Sequence, residues 1–226
     1  MAARGWVIAD NVLVGIRGRT GGARGAVFVW QGSQDVRIER NVILDCDSGM
    51  WLGLAWPPED TRHCARHEVR NNFVAGPRCT GILLNRHVDS RVVHNTVYDP
   101  VPLAHRPAGT DIEDGGVLGE AAEPRCRPLR LGVGHRGLLV ANNLLCGPGD
   151  LHVSETAGEV RLWGNRWLQE PDPGVFGDVT NGDLHLARGA ARGLAVGAAV
   201  EGVTEDIDRR PRGGRPTVGA HEGRAA

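Results

Sequence analysis

The stretch between residues 59 and 67 concentrates side chains able to bind a metal or move protons. It holds two carboxylates and two imidazoles: Glu59, Asp60, His63 and His67. Carboxylate oxygens suit Ca²⁺ and acid–imidazole pairs suit proton transfer, so Glu59 and Asp60 are candidate metal ligands. The spacing matches no calcium loop, and a charged surface loop is the competing interpretation. The same two interpretations hold for a second acidic group: Asp111, Glu113 and Asp114.

Charge and composition exclude several other kinds of chemistry. The 26 basic and 27 acidic residues leave a formal net charge of −1, which argues against nucleic acid or an anionic membrane as a partner. Every basic residue is arginine, so no lysine can act as a base or phosphate ligand. The chain has no phosphate-binding glycine loop, no G-x-S-x-G and no H-E-x-x-H. No apolar run is long enough for membrane insertion, and residues 1–6 have no apolar core, so we expect no signal peptide here.

An asparagine recurs along the chain inside short apolar segments. The six positions are Asn11, Asn41, Asn72, Asn95, Asn143 and Asn165. They lie 30, 31, 23, 48 and 22 residues apart, so the shortest steps approximate one bare repeat and the longer steps carry insertions. Around each asparagine the residues alternate with period two and β-branched types dominate, which indicates strands rather than helices.

This repeat predicts an all-β fold, a single-stranded right-handed parallel β-helix of about six coils. One asparagine per coil suits a tight corner because it tolerates the left-handed backbone region and its amide can bond to backbone. Stacked coils would align these amides into a ladder. The coils occupy residues 1–170, and residues 171–226 form a final strand at 183–186 and a C-terminal cap, within one domain overall.

The strands between the corners should form a first sheet from residues 26–30, 50–54, 81–85, 129–133 and 150–154. The segments before each asparagine form a second sheet, and those after it a third. Residues 55–67 and 100–127 are predicted surface insertions, because both are rich in Pro, Gly and charge. The first coil begins at Trp6 with an uncovered sheet edge, so we expect missing N-terminal coils or a partner subunit there.

The five cysteines, Cys46, Cys64, Cys79, Cys126 and Cys146, contain no C-x-x-C pair, which argues against a zinc ribbon or a thioredoxin site. One or two disulfides and isolated buried thiols are equally compatible with this count.

Three stretches, 31–43, 69–74 and 92–98, resemble bacterial right-handed β-helix repeat proteins of the pectate-lyase-like superfamily. Residues 182–186, 206–212 and 218–222 are similar to the closing motif of many such exported proteins, although Arg209 replaces a usual glycine and Thr217-Val218 an Asp-Ile. The resemblance spans Trp6 to Glu222. It implies an extracellular or cell-surface protein associated with polysaccharide, and it does not choose an activity.

By resemblance, a sugar chain would bind along the outer face of the first sheet. Alternation places Val27 and Val29 inward, which predicts these substrate-binding residues: Phe28, Trp30, Trp51, Trp56, Asn85 and His152. Flat aromatic rings suit stacking on sugar rings. The competing interpretation is that the long insertions cover the tryptophans.

Two functions stay open from the sequence. The resemblance allows a lyase that acts on a uronate polysaccharide by β-elimination, with Ca²⁺ or arginine neutralising the carboxylate and Lys or Arg as base. Without lysine, Arg86 beside His87 is the catalytic candidate, and a solvated turn arginine is the alternative interpretation. The absence of a complete catalytic constellation favours the other function, a non-catalytic binding or scaffold module.

Overall fold

The computed structural model describes residues 2–17, 25–55, 63–100, 127–149, 151–190, 194 and 197–223. Within these ranges the chain is all-β, as predicted, and its only helical segments are the 3-10 turns Pro173–Val175 and Val179–Asn181. None of the described helical segments is long and apolar enough to cross a bilayer. Nearly all strands pair in parallel, which is consistent with a parallel β-solenoid.

Three parallel stacks of strands recur in the same chain order. Sheet 1 contains Gly25–Val29, Ser48–Leu52, Ile82–Leu84, Leu129–Leu131 and His152–Val153. Sheet 2 contains Val7–Ala9, Arg37–Glu39, Glu68–Arg70, Arg91–Val93, His135–Ala141 and Gly158–Trp163. Sheet 3 contains Val12–Val14, Val42–Leu44, Phe73–Ala75, Thr96–Tyr98, Leu144–Cys146 and Arg166–Leu168.

A fourth row of short strands, which the sequence pattern did not reveal, lies between sheets 1 and 2. Its members are Ser33–Gln34, Cys64–Ala65 and His87–Val88. The long strand His135–Ala141 pairs with this row at one end and with sheet 2 at the other, so the two rows join into one curled nine-stranded sheet.

The core lies between the three sheets. One apolar cluster combines Val27 and Met50 of sheet 1, Ile38 of sheet 2 and Ile43 of sheet 3 with their equivalents along each stack. In sheet 3, for example, Ile43 aligns with Val74. Because side chains alternate across a strand, each strand sends every second residue into this cluster. The predicted inward positions, Val27 and Val29, both lie in it.

The corner before sheet 3 corrects one detail of the sequence interpretation. The residue with positive φ is not the ladder asparagine but the residue before it: Asp10, Arg40, Asn71, His94, Asn142 or Gly164. The asparagine itself leaves the left-handed turn, and its amide can therefore point along the stack. The sequence suggested that the asparagine alone makes the corner. In the structure the preceding residue makes the backbone turn, and the asparagine makes the amide hydrogen bonds.

The C-terminal segment packs on the outer face of sheet 3. Phe176–Asp178 and Asp183–Leu186 form an antiparallel pair, and Phe176 and Leu184 join Phe73 and Leu144 in a second apolar cluster. The closing segment is held by Arg212, whose side chain is buried and whose Nη2 donates to Asn71 Oδ1 at 2.9 Å. The tail thus covers the side of the stack.

Of the described cysteines, Cys79 is disulfide-bonded, and Cys46, Cys64 and Cys146 are free and buried.

Candidate functional site

The outer face of sheet 1 was the predicted sugar-binding surface. The strand register aligns Phe28, Trp51, Leu83, Arg130 and His152 in one row across this face. However, Trp51 is 4% exposed and Leu83 is 3% exposed, and both pack with Cys79 in a separate apolar cluster. The middle of the row therefore offers no open aromatic face to a sugar, in line with the interpretation that this face is covered.

Among the other predicted sugar contacts that the structure describes, Trp30 is the exposed one. It is 39% exposed and stacks on Phe28 with ring centroids 5.8 Å apart. Asn85 is buried and its Oδ1 accepts the backbone N–H of Val133 at 3.0 Å, so it braces the turn. His152 is half-buried, and Trp56 lies outside the described residues.

The structure does not bring Arg86 and His87 together in a groove. Arg86 is half-buried in a turn with φ of 53°, and its Nη2 donates to the Ala55 carbonyl at 2.9 Å. His87 is fully buried in the core. A substrate on the surface could touch Arg86, whereas the His87 ring has no exposed surface to offer it.

Of the acids and imidazoles in the stretch at 59–67, only the histidines lie within the described residues. Glu59 and Asp60 lie outside the described residues, as do Asp111, Glu113 and Asp114. His63 and His67 are buried instead of lying on a surface loop, because the unforeseen strand Cys64–Ala65 draws them inward. The Nδ1 atom of His63 accepts the backbone N–H of Leu54 at 2.9 Å, which assigns it a structural bond.

A different cluster forms where the short-strand row enters the core. Cys64, His67 and His87 place one potential ligand atom each within 4.8 Å of the others, and all three residues are buried. The imidazoles of His67 and His87 meet edge to face, with centroids 5.4 Å apart. Ser33 and His135 flank Cys64 and His87 in the same row. Sulfur and imidazole nitrogen are ligands for soft and borderline metal ions.

Hydrogen bonds define which ring atoms of this cluster hold a lone pair. His87 Nε2 lies 3.3 Å from the Leu52 carbonyl, which can only accept, so Nε2 carries the proton and Nδ1 the lone pair. That Nδ1 atom is buried without a hydrogen-bond partner. Neither ring nitrogen of the buried His67 has a well-aligned partner. Buried polar atoms are rarely left in this state.

Burial also sets the charge of the cluster. It lowers the pKa of His67 to about 4 and that of His135 to about 4. Burial, with the neighbouring His67 and His135 imidazoles, lowers the pKa of His87 well below its usual value. Burial raises the pKa of the Cys64 thiol to about 12. At neutral pH the cluster is therefore two neutral imidazoles and a thiol.

Asp206, Asp208 and His221 also approach one another closely enough to hold an ion. Here the oxygens are already used: Asp206 accepts backbone N–H groups from Asp208 at 2.9 Å, Arg210 at 2.8 Å and Glu222 at 2.9 Å. Asp208 in turn accepts from His185 Nε2 at 3.0 Å. These hydrogen bonds stabilise the fold of the closing segment, and they satisfy the carboxylate oxygens without a metal ion.

Sequence reasoning missed Cys64 as a site residue and placed His67 in a surface loop, yet a signal was present. Ser33, Cys64, His87 and His135 each stand eight residues before a ladder asparagine, at Asn41, Asn72, Asn95 and Asn143. Aligning the chain on its asparagines would have placed the four residues in one column.

The comparisons with known proteins return nothing: no protein-family model, no curated protein and no solved structure matches this chain.

Proposed function

We propose that this chain is a single-stranded right-handed parallel β-helix whose role is structural, a scaffold module that stacks end to end on a second copy of itself. The observation that carries the proposal is the state of the asparagine ladder at its two ends. The exported, carbohydrate-associated setting implied by the family resemblance belongs to the same proposal.

The ladder has a direction. The Nδ2 atom of Asn41 donates to Asn72 Oδ1 at 2.9 Å, and that of Asn72 donates to Asn95 Oδ1 at 2.9 Å. The chain of bonds begins with Asn11 donating to Asn41 at 2.9 Å and ends with Asn143 donating to Asn165 at 2.9 Å. One end of the stack therefore presents an acceptor and the other end a donor.

At both ends of the ladder, the asparagine lacks a hydrogen-bond partner among the described residues to continue the ladder. Nothing in the described ranges donates to Asn11 Oδ1. Among the described residues Asn165 Nδ2 makes one bond, to the Val140 carbonyl at 2.9 Å, and it lacks the bond to a further asparagine that the interior members make. Placing the Asn165 end of one molecule on the Asn11 end of another would extend the ladder by the same bond that repeats inside it.

The apolar core reaches both ends as well. At the first coil a cavity of about 480 Å³ opens beside the inward residues Ile8, Leu13, Val27 and Val29. At the last coil Leu162 and Trp167 continue the inward rows of sheets 2 and 3 and are exposed. A concave apolar face at one end and large apolar side chains at the other are complementary. Among the described residues, no strand pairs with the outer edges of the first and last coils.

Such a contact uses different surfaces on the two partners, so it is head-to-tail and can repeat. Sedimentation velocity should show oligomers that grow with protein concentration. Leu13→Glu at one end and Leu162→Glu at the other should each leave monomers, because either variant blocks one half of the contact. An equimolar mixture of the two variants should form dimers and nothing larger.

Trp163→Glu is the matched control, because Trp163 adjoins Leu162 but pairs with Ala141, which lies in an outer cluster. It should weaken association far less than Leu162→Glu. A wild-type chain that stays monomeric at all concentrations, or a mixture of the two blocked variants that stays monomeric, would overturn the proposal.

Sugar contact would be secondary to this role and would centre on Trp30, whose ring is exposed and stacked on Phe28. The lyase alternative stays a prediction from the sequence, with Arg86 half-buried and His87 fully buried.

A further inference from the structure

We propose that Cys64, His67 and His87 bind a single soft, monovalent metal ion, Cu(I), inside the core of the stack. The site is separate from the end faces, and it stands or falls independently of the scaffold role.

The first step is the unused bonding capacity of the cluster. Both ring nitrogens of His67 and the Nδ1 atom of His87 are buried without hydrogen-bond partners, although the fold satisfies most of the other buried side chains. A polar atom that gives up water and gains no partner is a net cost of folding, and each such atom in a native protein calls for an explanation. A metal ion in the cluster would supply the missing partner of His87 Nδ1 and of one ring nitrogen of His67.

The second step is the outer support of one ligand. His87 Nε2 lies 3.3 Å from the Leu52 carbonyl, and the backbone N–H of His87 donates to His135 Nδ1 at 3.3 Å. Metal-binding histidines typically donate their other ring N–H to a carbonyl or carboxylate, which fixes the tautomer and the ring orientation. His87 already has this arrangement at Nε2, and its Nδ1 atom is buried without a hydrogen-bond partner.

The three ligand atoms must move slightly closer together to bind one ion. The ligand atoms lie within 4.8 Å of one another, whereas metal bonds of about 2.0 Å to nitrogen and 2.3 Å to sulfur would place them roughly 3.7 Å apart in a planar site. The atoms must therefore approach by up to about 1 Å, and rotation of the His67 imidazole can supply its part of that approach, since no well-aligned hydrogen bond holds the ring.

Charge balance selects the ion. Binding replaces the Cys64 S–H bond with a sulfur–metal bond and releases one proton, so the ligand set becomes one thiolate and two neutral imidazoles. With Cu(I) the filled site has no net charge, which a buried apolar setting favours. With Zn²⁺ the site would keep a positive charge and an unfilled fourth position. Thiolate ligands also select soft ions such as Cu(I).

Complete burial determines how the ion enters. His87 and Cys64 are 0% exposed, so the ion would be captured as the short-strand row folds into the stack. The test is therefore made on the full chain unfolded and refolded without oxygen in the presence of Cu(I), with unbound copper then removed by a competing chelator. We expect one copper per chain, a higher melting temperature and an X-ray absorption first shell of one sulfur and two nitrogens.

Two variants and one control make the assignment specific. Cys64→Ser and His67→Phe should weaken copper binding by more than the roughly 10–100-fold that loss of an outer-shell partner causes. His67→Phe keeps an aromatic ring at the same place and guards against simple misfolding. Cys46→Ser removes a different buried free thiol and should bind copper like the wild type.

Three outcomes would overturn the copper proposal. A refolded chain with native circular dichroism but no retained copper would end it, and so would copper that survives in both Cys64→Ser and His67→Phe. Saturation by Zn²⁺ in preference to Cu(I) would refute the charge-balance argument and the ion that it selects.

Discussion

Two buried columns of polar side chains run along the same stack with the same spacing. Asn41, Asn72, Asn95 and Asn143 form one, with steps of 31, 23 and 48 residues. Ser33, Cys64, His87 and His135 form the other, eight residues earlier in each repeat. Every member of both columns is buried, so both face the same demand, that a polar atom away from water must find a partner.

The columns meet that demand differently. Each interior asparagine accepts two bonds from the preceding repeat and donates along the axis, as Asn72 does between Asn41 and Asn95. The other column varies in residue type, from serine through cysteine to two histidines, and leaves one ring nitrogen each of His87 and His135 without a partner. A position that repeats one residue is serving the fold. A buried position that is occupied by different residue types in successive repeats is not required for the fold. Functional groups are best sought at such positions.

Asn72→Leu tests the first half of this comparison and should have the largest effect. The substitution removes the acceptor of two donors from Asn41 and the donor to the carbonyls of Ile38 and Arg70. With several buried groups left unpaired, we expect a loss of about 3 kcal/mol in the free energy of unfolding, measured by urea denaturation.

Asn11→Leu is the matched control for the ladder, because Asn11 is exposed and receives no ladder bond from a described residue. It should cost no more than about 1 kcal/mol. Equal costs at Asn11 and Asn72 would show that the ladder does not act through buried hydrogen bonds.

His94 tests how titratable groups beside the ladder respond to acid. Its Nε2 accepts from Asn142 Nδ2 at 3.0 Å; burial, with a contribution from the Arg212 charge, lowers its pKa from 6.5 to about 3, against the opposing effect of the Gly219 and Thr217 backbone. The unfolded chain takes up a proton near pH 6.5 and the folded chain does not. Stability therefore falls as the pH drops from about 6.5 toward 3, by roughly 3 kcal/mol at pH 4.5.

The measurement is the pH dependence of the free energy of unfolding in wild type and His94→Gln. The variant should lose stability less steeply over this range, because glutamine does not titrate, even if its stability at pH 7 is lower. Identical slopes would mean that His94 does not contribute to acid sensitivity.

His67→Phe tests the second half of the comparison and should have the smallest effect on stability. In the metal-free chain the ring nitrogens of His67 have no partners, so replacing the ring with an apolar one of similar shape should be neutral or stabilising by up to about 1 kcal/mol. Thermal unfolding without metal is the readout. A loss as large as that of Asn72→Leu would show that His67 serves the fold in the same way as the ladder.

Much of this architecture could be predicted from local pattern. Val27 and Val29 lie inward as alternation requires, and the last strand lies at Asp183–Leu186. The candidate site could not be predicted in the same way. Arg86 and His87 look like a pair in the sequence, but the turn at Arg86 directs one side chain to the Ala55 carbonyl while the other enters the core. His63 and His67 look like loop residues until the strand Cys64–Ala65 pairs with its neighbours.

What the sequence determined by itself was the repeat: six asparagines in apolar segments, parallel strands and a core built from alternate residues. These follow from periodicity, because each repeat must bury one face against the next and shows the same pattern wherever it does so. Only the tertiary structure decided that Trp51 is covered and that Cys64, His67 and His87 converge. Those outcomes depend on which distant segments meet. The eight-residue offset from the asparagines aligns Cys64 with His87, but no pattern in the sequence places His67 beside them or covers Trp51.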